Sequence, residues 1–498
     1  MTQQSVRRIL AGIFVAAAAV RVVAWRTSVG AIHPDEIFQV IEPAWWRLHG
    51  VGQVAWEWNE GVRSWVLPSY NGALLALLTS LGVTRGATAG GFLQLHWAAL
   101  NLVLVAAGFR GGCHITRRLH RPPGNPPDNQ ELAPADAPAR APAATPGWQG
   151  GLLAAALCGL FPLLAQYAPH TLSELPSMLA LVCGLTLAAD MIERPEPQPG
   201  RAVMVGFLLA LGICVRIANA PLVLVAPIWL LLRRRFALLA QLIAGATLPV
   251  LIFGLVDLLT WGKFLGSYIG YLKFNFIEGR AAQFGTEPWF WYAQRVFDRT
   301  PWSLACLLVP LLLGLRATWP FAASAFGLVA LLSTQAHKEE RFVIAFWPYL
   351  LIGAAGVVGA WWAAASEPAA PALTPPRRLG RKVLAGVGLA GLGLVLIDNG
   401  RHPVAGDHTV ARARMDAQAV AGADPQITGL LVDSIFWSGG SLWLGGNWPQ
   451  MNLDPVLLGN RLFSHVVADR QSLNAQRAIQ AGFVEIFSRD GVVLLRRQ

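Results

Sequence analysis

Three separated blocks of polar residues stand among apolar runs. The first is His33-Pro34-Asp35-Glu36, followed by Trp56-Glu57-Trp58 and Arg63-Ser64. Adjacent carboxylates directly after an apolar run are costly unless solvated or used. An ionised carboxylate within hydrogen-bond reach of a hydroxyl can act as a general base. Asp is also a favoured N-cap, and a helix beginning near Ile37 would take one, so spacing leaves capping and catalysis both open for Asp35. The second block carries Tyr271-Leu272-Lys273-Phe274-Asn275 and Glu287-Pro288-Trp289-Phe290-Trp291-Tyr292. Trp and Tyr collect at membrane interfaces whatever the function; the alternative is stacking against a sugar or an isoprenoid chain. Lys273, a cation between aromatic residues near lipid, suits a phosphate. The third block is His337-Lys338-Glu339-Glu340-Arg341. Its basic side chains suit a phosphate headgroup, with Arg gripping bidentately, unless the segment is a solvated turn with compensated charge. Arg216 and Asp257, ionisable groups within apolar segments, are site candidates by default or a structural pair. His170, Thr171 and Glu174 form a further polar turn.

The elements that must position these blocks are helices in a membrane. The chain has 498 residues, 54% hydrophobic and 13% charged, against roughly 25% charged in an average soluble domain. Apolar runs of transmembrane length recur from Arg8 to Ile397, each able to satisfy its backbone only as a helix. Candidate spans are 9–25, 91–109, 151–169, 175–191, 202–219, 221–232, 237–259, 303–315, 319–336, 342–364 and 383–397. The first, Ile9 to Trp25, reads as a retained span rather than a cleaved signal. Leu67 to Gly82 holds only about a dozen apolar residues after Asn71, a length suited to an interfacial or re-entrant helix.

Treating that stretch as interfacial places Arg7/Arg8, Arg117-Arg118, Arg233-Arg234-Arg235, Arg316 and the Arg377-Arg378/Arg381-Lys382 cluster on one side. The positive-inside rule makes that side cytoplasmic. About eleven spans follow, N terminus in and C terminus out, with all three polar blocks outside and a first external loop over 26–90. The Pro/Ala-rich stretch 110–149 reads as a disordered cytoplasmic linker. Residues 400–498, mixed and polar, read as a small extracytoplasmic α/β domain after a membrane module over 1–399. The net charge of +11 lies in small clusters between apolar segments, which fits anchoring beside anionic lipid and not nucleic acid. Five cysteines without metal-ligand spacing indicate neither a disulfide framework nor a metal site. A bias to Ala, Gly and Arg points to a GC-rich bacterial source, hence an inner or plasma membrane.

In order and spacing, His33-Pro-Asp-Glu36 with Phe38-Gln39, then Trp56-Glu-Trp58, Arg63-Ser64 and Pro68, resembles the first lumenal loop of glycosyltransferase family 22, the alpha-mannosyltransferases. Tyr271-Leu-Lys-Phe-Asn275, Pro288-Trp289, Trp291-Tyr292 and His337-Lys-Glu-Glu-Arg-Phe342 are similar to that family's later motifs. The resemblance covers about residues 5–365 and is nearest the GPI mannosyltransferases. It implies a GT-C fold, an all-α polytopic membrane protein, and inverting transfer of mannose from a polyprenyl- or dolichyl-phosphate donor to a glycan or glycolipid acceptor. The lipid-phosphate sugar is substrate, and no cofactor is implied. Carried onto this chain, the base is Asp35, with Glu36 its rival. His33, Arg63, Lys273, His337, Lys338 and Arg341 are expected at the donor phosphate, and Trp56, Glu57, Trp289 and Tyr292 as substrate contacts. A lipid-linked sugar flippase or a GT-C transferase of another sugar is the alternative, though no internal repeat of the transporter kind is visible.

Overall fold

The computed structural model describes residues 1–83, 85–120, 146–193, 199–299, 301–366, 375–398 and 411–498. Most of the expected linker and the 399–410 junction lie outside them; residues 110–120, expected in the linker, instead continue the helix Val103–His120.

Among the described residues, seven helices are long and apolar enough to cross a membrane, or up to eight if the bent pair Trp291–Asp298 and Pro301–Leu313 is one span. Three shorter apolar helices, Trp148–Leu160, Gly200–Val215 and Ile217–Leu232, fall on the remaining expected spans. Glu340–Ser366 lies at the centre, with 94% of its apolar window buried, whereas Gln3–Thr27 is peripheral at 17%. Small residues let the central helices touch backbone to backbone, the usual way of packing helices in lipid. A Cβ on Gly112 would stand 2.1 Å from the Gly150 carbonyl oxygen, and one on Gly359 2.2 Å from Gly150 Cα. Arg21, buried in the first helix, is matched by acceptors: Nη2 donates to Asn101 Oδ1 (2.7 Å) and Nη1 to the Gly159 carbonyl (2.6 Å).

Chain direction separates two ends of this bundle. The helix Phe236–Trp261 begins after Arg233-Arg234-Arg235 and ends at Trp261, whose Nε1 donates to the Arg63 carbonyl in the first loop. Arg316 Nη2 reaches the Leu119 carbonyl (2.9 Å), and Arg381 lines a groove with Leu119 and His120. The basic clusters thus gather at the end opposite the first loop. Val66–Ser80 forms a 15-residue helix, its Gly72 against Ala44.

The C-terminal segment is a five-stranded sheet, β1 (Leu430–Val432), β2 (Gln450–Asn452), β3 (His465–Asp469), β4 (Phe483–Arg489) and β5 (Val492–Arg497), in the order β2-β1-β3-β5-β4. β1 is parallel to β2 and β3, while β5 is antiparallel to β3 and β4. Asp490 and Gly491, at φ 45° and 81°, make the two-residue hairpin turn, whose handedness favours Asp-Gly. This sheet unit is fastened to the first loop. Ser441 donates to the buried Glu42 carboxylate through N (2.8 Å) and Oγ (2.6 Å), and Gly86 packs directly on the Leu442 carbonyl.

Candidate active site

The first block folds as a short turn, Pro34–Glu36, running into a π-helical stretch, Ile37–Ile41, and then the helix Glu42–His49. π-Helical segments recur at functional sites. The N-cap is His33, not Asp35: Asp35 N–H donates to His33 Nδ1 at 3.1 Å. Asp35 is therefore released from capping, and its carboxylate turns to Arg341.

Arg341, only 6% exposed, joins three carboxylates from three parts of the chain. Nη2 donates to Asp35 Oδ2 (2.6 Å), Nη1 to Glu174 Oε1 (2.9 Å) and Nε to Glu339 Oε2 (2.7 Å). Only the planar five-donor fork of Arg serves such a convergence. Glu339 also faces His33 Nε2 (3.2 Å) and His337 Nε2 (3.0 Å). Arg216 Nη1 lies 3.3 Å from Glu174 Oε1 and 3.2 Å from Ser173 Oγ. The Phe342 ring stands 4.8 Å from the Arg216 guanidinium and 5.0 Å from that of Arg341, within cation–π range.

Burial alone would raise the Asp35 carboxyl, but Arg341, His33 and Arg63 hold it well below the usual carboxylate range. Burial likewise opposes ionisation of Glu339, and His33, His337 and Arg341 bring it far down. For His33, burial disfavours the imidazolium, yet Asp35 and Glu339 outweigh burial and Arg341 and raise it to about 9. His33 Nδ1 stands 3.1 Å from Asp35 N, from which the neutral ring accepts, and 3.5 Å from Asp35 Oδ1, the oxygen available to the imidazolium.

Beside this cluster opens a narrow cleft, whose lining includes Gln39, Arg63, Ser64, Arg216, Tyr268 and Tyr271. The buried Nε atoms of Arg63 and Arg216 have no hydrogen-bond partner among the described residues. An unmet buried donor costs about 1–3 kcal/mol, more when charged. Two such donors on guanidinium groups beside one cleft make a ready anion site.

Several expected residues sit elsewhere. Glu36 is buried and its carboxylate is spent on the fold, accepting from Ile32 N (2.7 Å) and Thr171 N (3.2 Å) and pairing with His170 Nδ1 (2.9 Å). Both of its oxygens are engaged by groups that hold the first loop to the Thr171 turn. Lys338 Nζ donates to the Glu287 carbonyl (2.9 Å) and the Gln335 carbonyl, clamping the second block to the third. Lys273 is exposed and pairs with Glu278 (3.4 Å) rather than with the Arg341 cluster. Trp56 stacks on Phe274 (4.5 Å) away from the cluster, and Glu57 accepts from Gln39 Nε2 (2.7 Å) with Arg63 Nη2 at 3.9 Å, so it backs two lining residues of the cleft without entering the cluster. Trp289 is 74% exposed, while Tyr292 is buried at 1% beside Trp291. Arg216 does not pair with Asp257, which accepts from Ser267 N (2.9 Å). Glu339 carries more of the cluster than its sequence suggests; a carboxylate set between His337 and Arg341 was the available signal.

Residues 12–389 match the model of the Alg9-like mannosyltransferase family. Mannosyltransferase APTG1 of Arabidopsis thaliana is 23% identical over 334 residues, covering 64% of this chain and 53% of that protein. GPI mannosyltransferase 3 of Yarrowia lipolytica is 24% identical over 350 residues, covering 70% and 62%. The chain spans about half to three fifths of these relatives' length. Among solved structures, ArnT from Cupriavidus metallidurans bound to undecaprenyl phosphate superposes at a TM-score of 0.58 with 13% identity over 97% of both chains, a likeness of fold.

Proposed function

The chain belongs to the Alg9-like mannosyltransferase family, and from that premise we propose that it transfers mannose from a polyprenyl- or dolichyl-phosphate donor to a hydroxyl of a glycan or glycolipid acceptor on the extracytoplasmic face. The observation that carries this reading is the pairing of an ionised, partly exposed Asp35 with a cleft holding two unspent guanidinium donors, those of Arg63 and Arg216. Sidedness is supported by the basic clusters lying at the opposite end of the bundle, where cytoplasmic loops retain Arg and Lys.

In the proposed step, the acceptor oxygen bonds to the anomeric carbon as the bond from that carbon to the phosphate oxygen breaks, its electron pair leaving with the phosphate. The hydroxyl proton passes to Asp35. A carboxylate held so far down is a weak base, and takes the proton late, once the forming C–O bond has made the hydroxyl acidic. Arg63 and Arg216 then meet the charge that grows on the phosphate, where preorganised donors are most effective. Arg341 and His33 fix Asp35 in place.

The test is radiolabelled polyprenyl-phosphate mannose given to the purified protein with a panel of mannose- and glucosamine-terminated glycolipids. Transfer of label to an acceptor is expected. Label that changes leaflet in proteoliposomes while still attached to its carrier would overturn the reading.

A further inference from the structure

We propose that the turn Ile435–Trp437 of the C-terminal sheet unit is a carbohydrate-binding platform that seats the acceptor beside Asp35, an inference that rests on the transferase reading and deepens it. After β1 the chain reverses through Ser434, a non-glycine residue at φ 58° in the left-handed region. Such a conformation is strained for a residue with a side chain and persists where surrounding structure enforces it. Here the enforcement is visible on both sides. Asp433 N donates to the Val467 carbonyl (2.8 Å), Ile435 N to Asn452 Oδ1 (3.2 Å) and Gly439 N to Gln418 Oε1 (2.6 Å). Ile435 is buried, so the turn is pinned while Phe436 and Trp437 face outward at 56% and 36% exposure. They are the exposed aromatic residues of the described C-terminal segment.

Their position gives them a use. The Trp437 ring stands edge-on to His33, centroids 6.2 Å apart, and Phe436 edge-on to Phe38 at 5.4 Å. His33 is the ring that caps the turn bearing Asp35. Trp437 therefore adjoins the catalytic turn from the side of the sheet unit, whereas Arg63 and Arg216 lie in the cleft beside Gln39 and Tyr271. The Glu42–Ser441 bonds hold the sheet unit to the first loop, so the platform keeps its distance from Asp35. A rigid indole offers an apolar face with a polar tip at little entropic cost. That suits the C–H face of a pyranose whose hydroxyls stay in water. The occupant that fits is a glycan, and its place beside the base rather than in the cationic cleft makes it acceptor and not donor.

Two readouts test this on the full-length protein in detergent. On an immobilised glycan array without donor, the wild type is expected to retain a subset of oligosaccharides, and Trp437→Ala to lose at least about tenfold of that binding with Trp437→Phe partly restoring it. In the transfer assay, with the acceptor that the panel selects, Trp437→Ala should raise the acceptor KM about tenfold or more and leave the donor KM within about twofold. An array profile and acceptor KM unchanged in Trp437→Ala, or a wild type that binds no glycan, would overturn the platform. A defect seen with lipid-linked acceptor but absent with the same glycan freed of its lipid would show that the rings meet the bilayer, and would also overturn it. Failure of transfer with array binding intact would instead refute the transferase reading.

Discussion

The helix Glu174–Glu193 carries a buried carboxylate near each end, Glu174 and Asp190, about 24 Å apart along its axis. Asp190 is met by Arg201 (2.8 Å), Arg117 (3.0 Å) and Arg110 (3.9 Å). There one acid is outnumbered, and Arg110 at 46% exposure runs out to solvent or lipid headgroups. At the other end Glu174, Asp35 and Glu339 share Arg341, Arg216 joins through Glu174, and guanidinium donors remain unmet beside a cleft. A buried ion network therefore does not by itself mark a site. The mark is a network whose charges are organised from distant segments and whose residues with unmet donors line a cleft.

The comparison breaks most sharply on two like substitutions. Asp35→Asn is expected to lower transfer about 10²-fold or more per folded molecule, because it removes the base while Glu174 and Glu339 still compensate Arg341. Asp190→Asn is expected to leave transfer per folded molecule near normal and to destabilise by on the order of 2 kcal/mol, less than the ~3–5 of a fully buried pair since its arginines reach water. Size-exclusion recovery, melting in detergent and transfer rate separate the two. If both variants lose turnover alike, the two ends are not distinct in kind.

Next in size is the donor phosphate. Arg63→Lys and Arg216→Lys each replace a fork by a point charge and are expected to raise the donor KM about tenfold, about 1.4 kcal/mol, just under the ~1.5–3 kcal/mol of a whole charge-assisted hydrogen bond because Lys keeps the charge. Lys273→Ala should change it less than about twofold. Donor titrations decide, and an order reversed between Lys273 and the two arginines would move the phosphate out of the cleft.

Glu36→Gln sharpens the contrast between neighbours. Gln has one acceptor oxygen where the carboxylate meets Ile32 N with Oε1 and Thr171 N and His170 Nδ1 with Oε2, so one of these two sides loses its acceptor, and a stability loss of about 1–3 kcal/mol is expected with turnover per folded molecule retained. A folded Glu36→Gln protein without turnover would return the base to Glu36.

The smallest effect is in pH. Asp35, depressed, stays ionised above the ordinary Asp range and loses its pair only as pH falls through its lowered value; His33, raised to about 9, keeps its contacts below the ordinary imidazole range and loses them as pH rises through about 9. A flat kcat/KM across neutrality with an alkaline decline near 9 is expected, and His33→Ala should abolish that limb.

Much of this was legible in sequence, and the misses have physical reasons. Apolar runs announce helices because lipid leaves the backbone no alternative, which is why the spans read directly. The chemical blocks were legible as blocks, but which member faced the site was not. Glu36 and Lys338 look as reactive as Asp35 and Arg341 in one dimension; only the fold shows that their polar atoms are taken by Thr171, His170 and Glu287. Capping by His33 was hidden because His is an uncommon cap, and the role was sought in Asp35. The convergence of Glu174 on Arg341 joins positions 167 residues apart, a separation no local pattern encodes.

The central claim is that Asp35 takes the proton while Arg63 and Arg216 hold the phosphate, and single-turnover transfer separates those duties. With radiolabelled polyprenyl-phosphate mannose prebound and acceptor added, Asp35→Asn should bind donor within about twofold of the wild type and transfer at least about 10²-fold more slowly. Transfer at the wild-type rate from the same prebound donor would contradict the account.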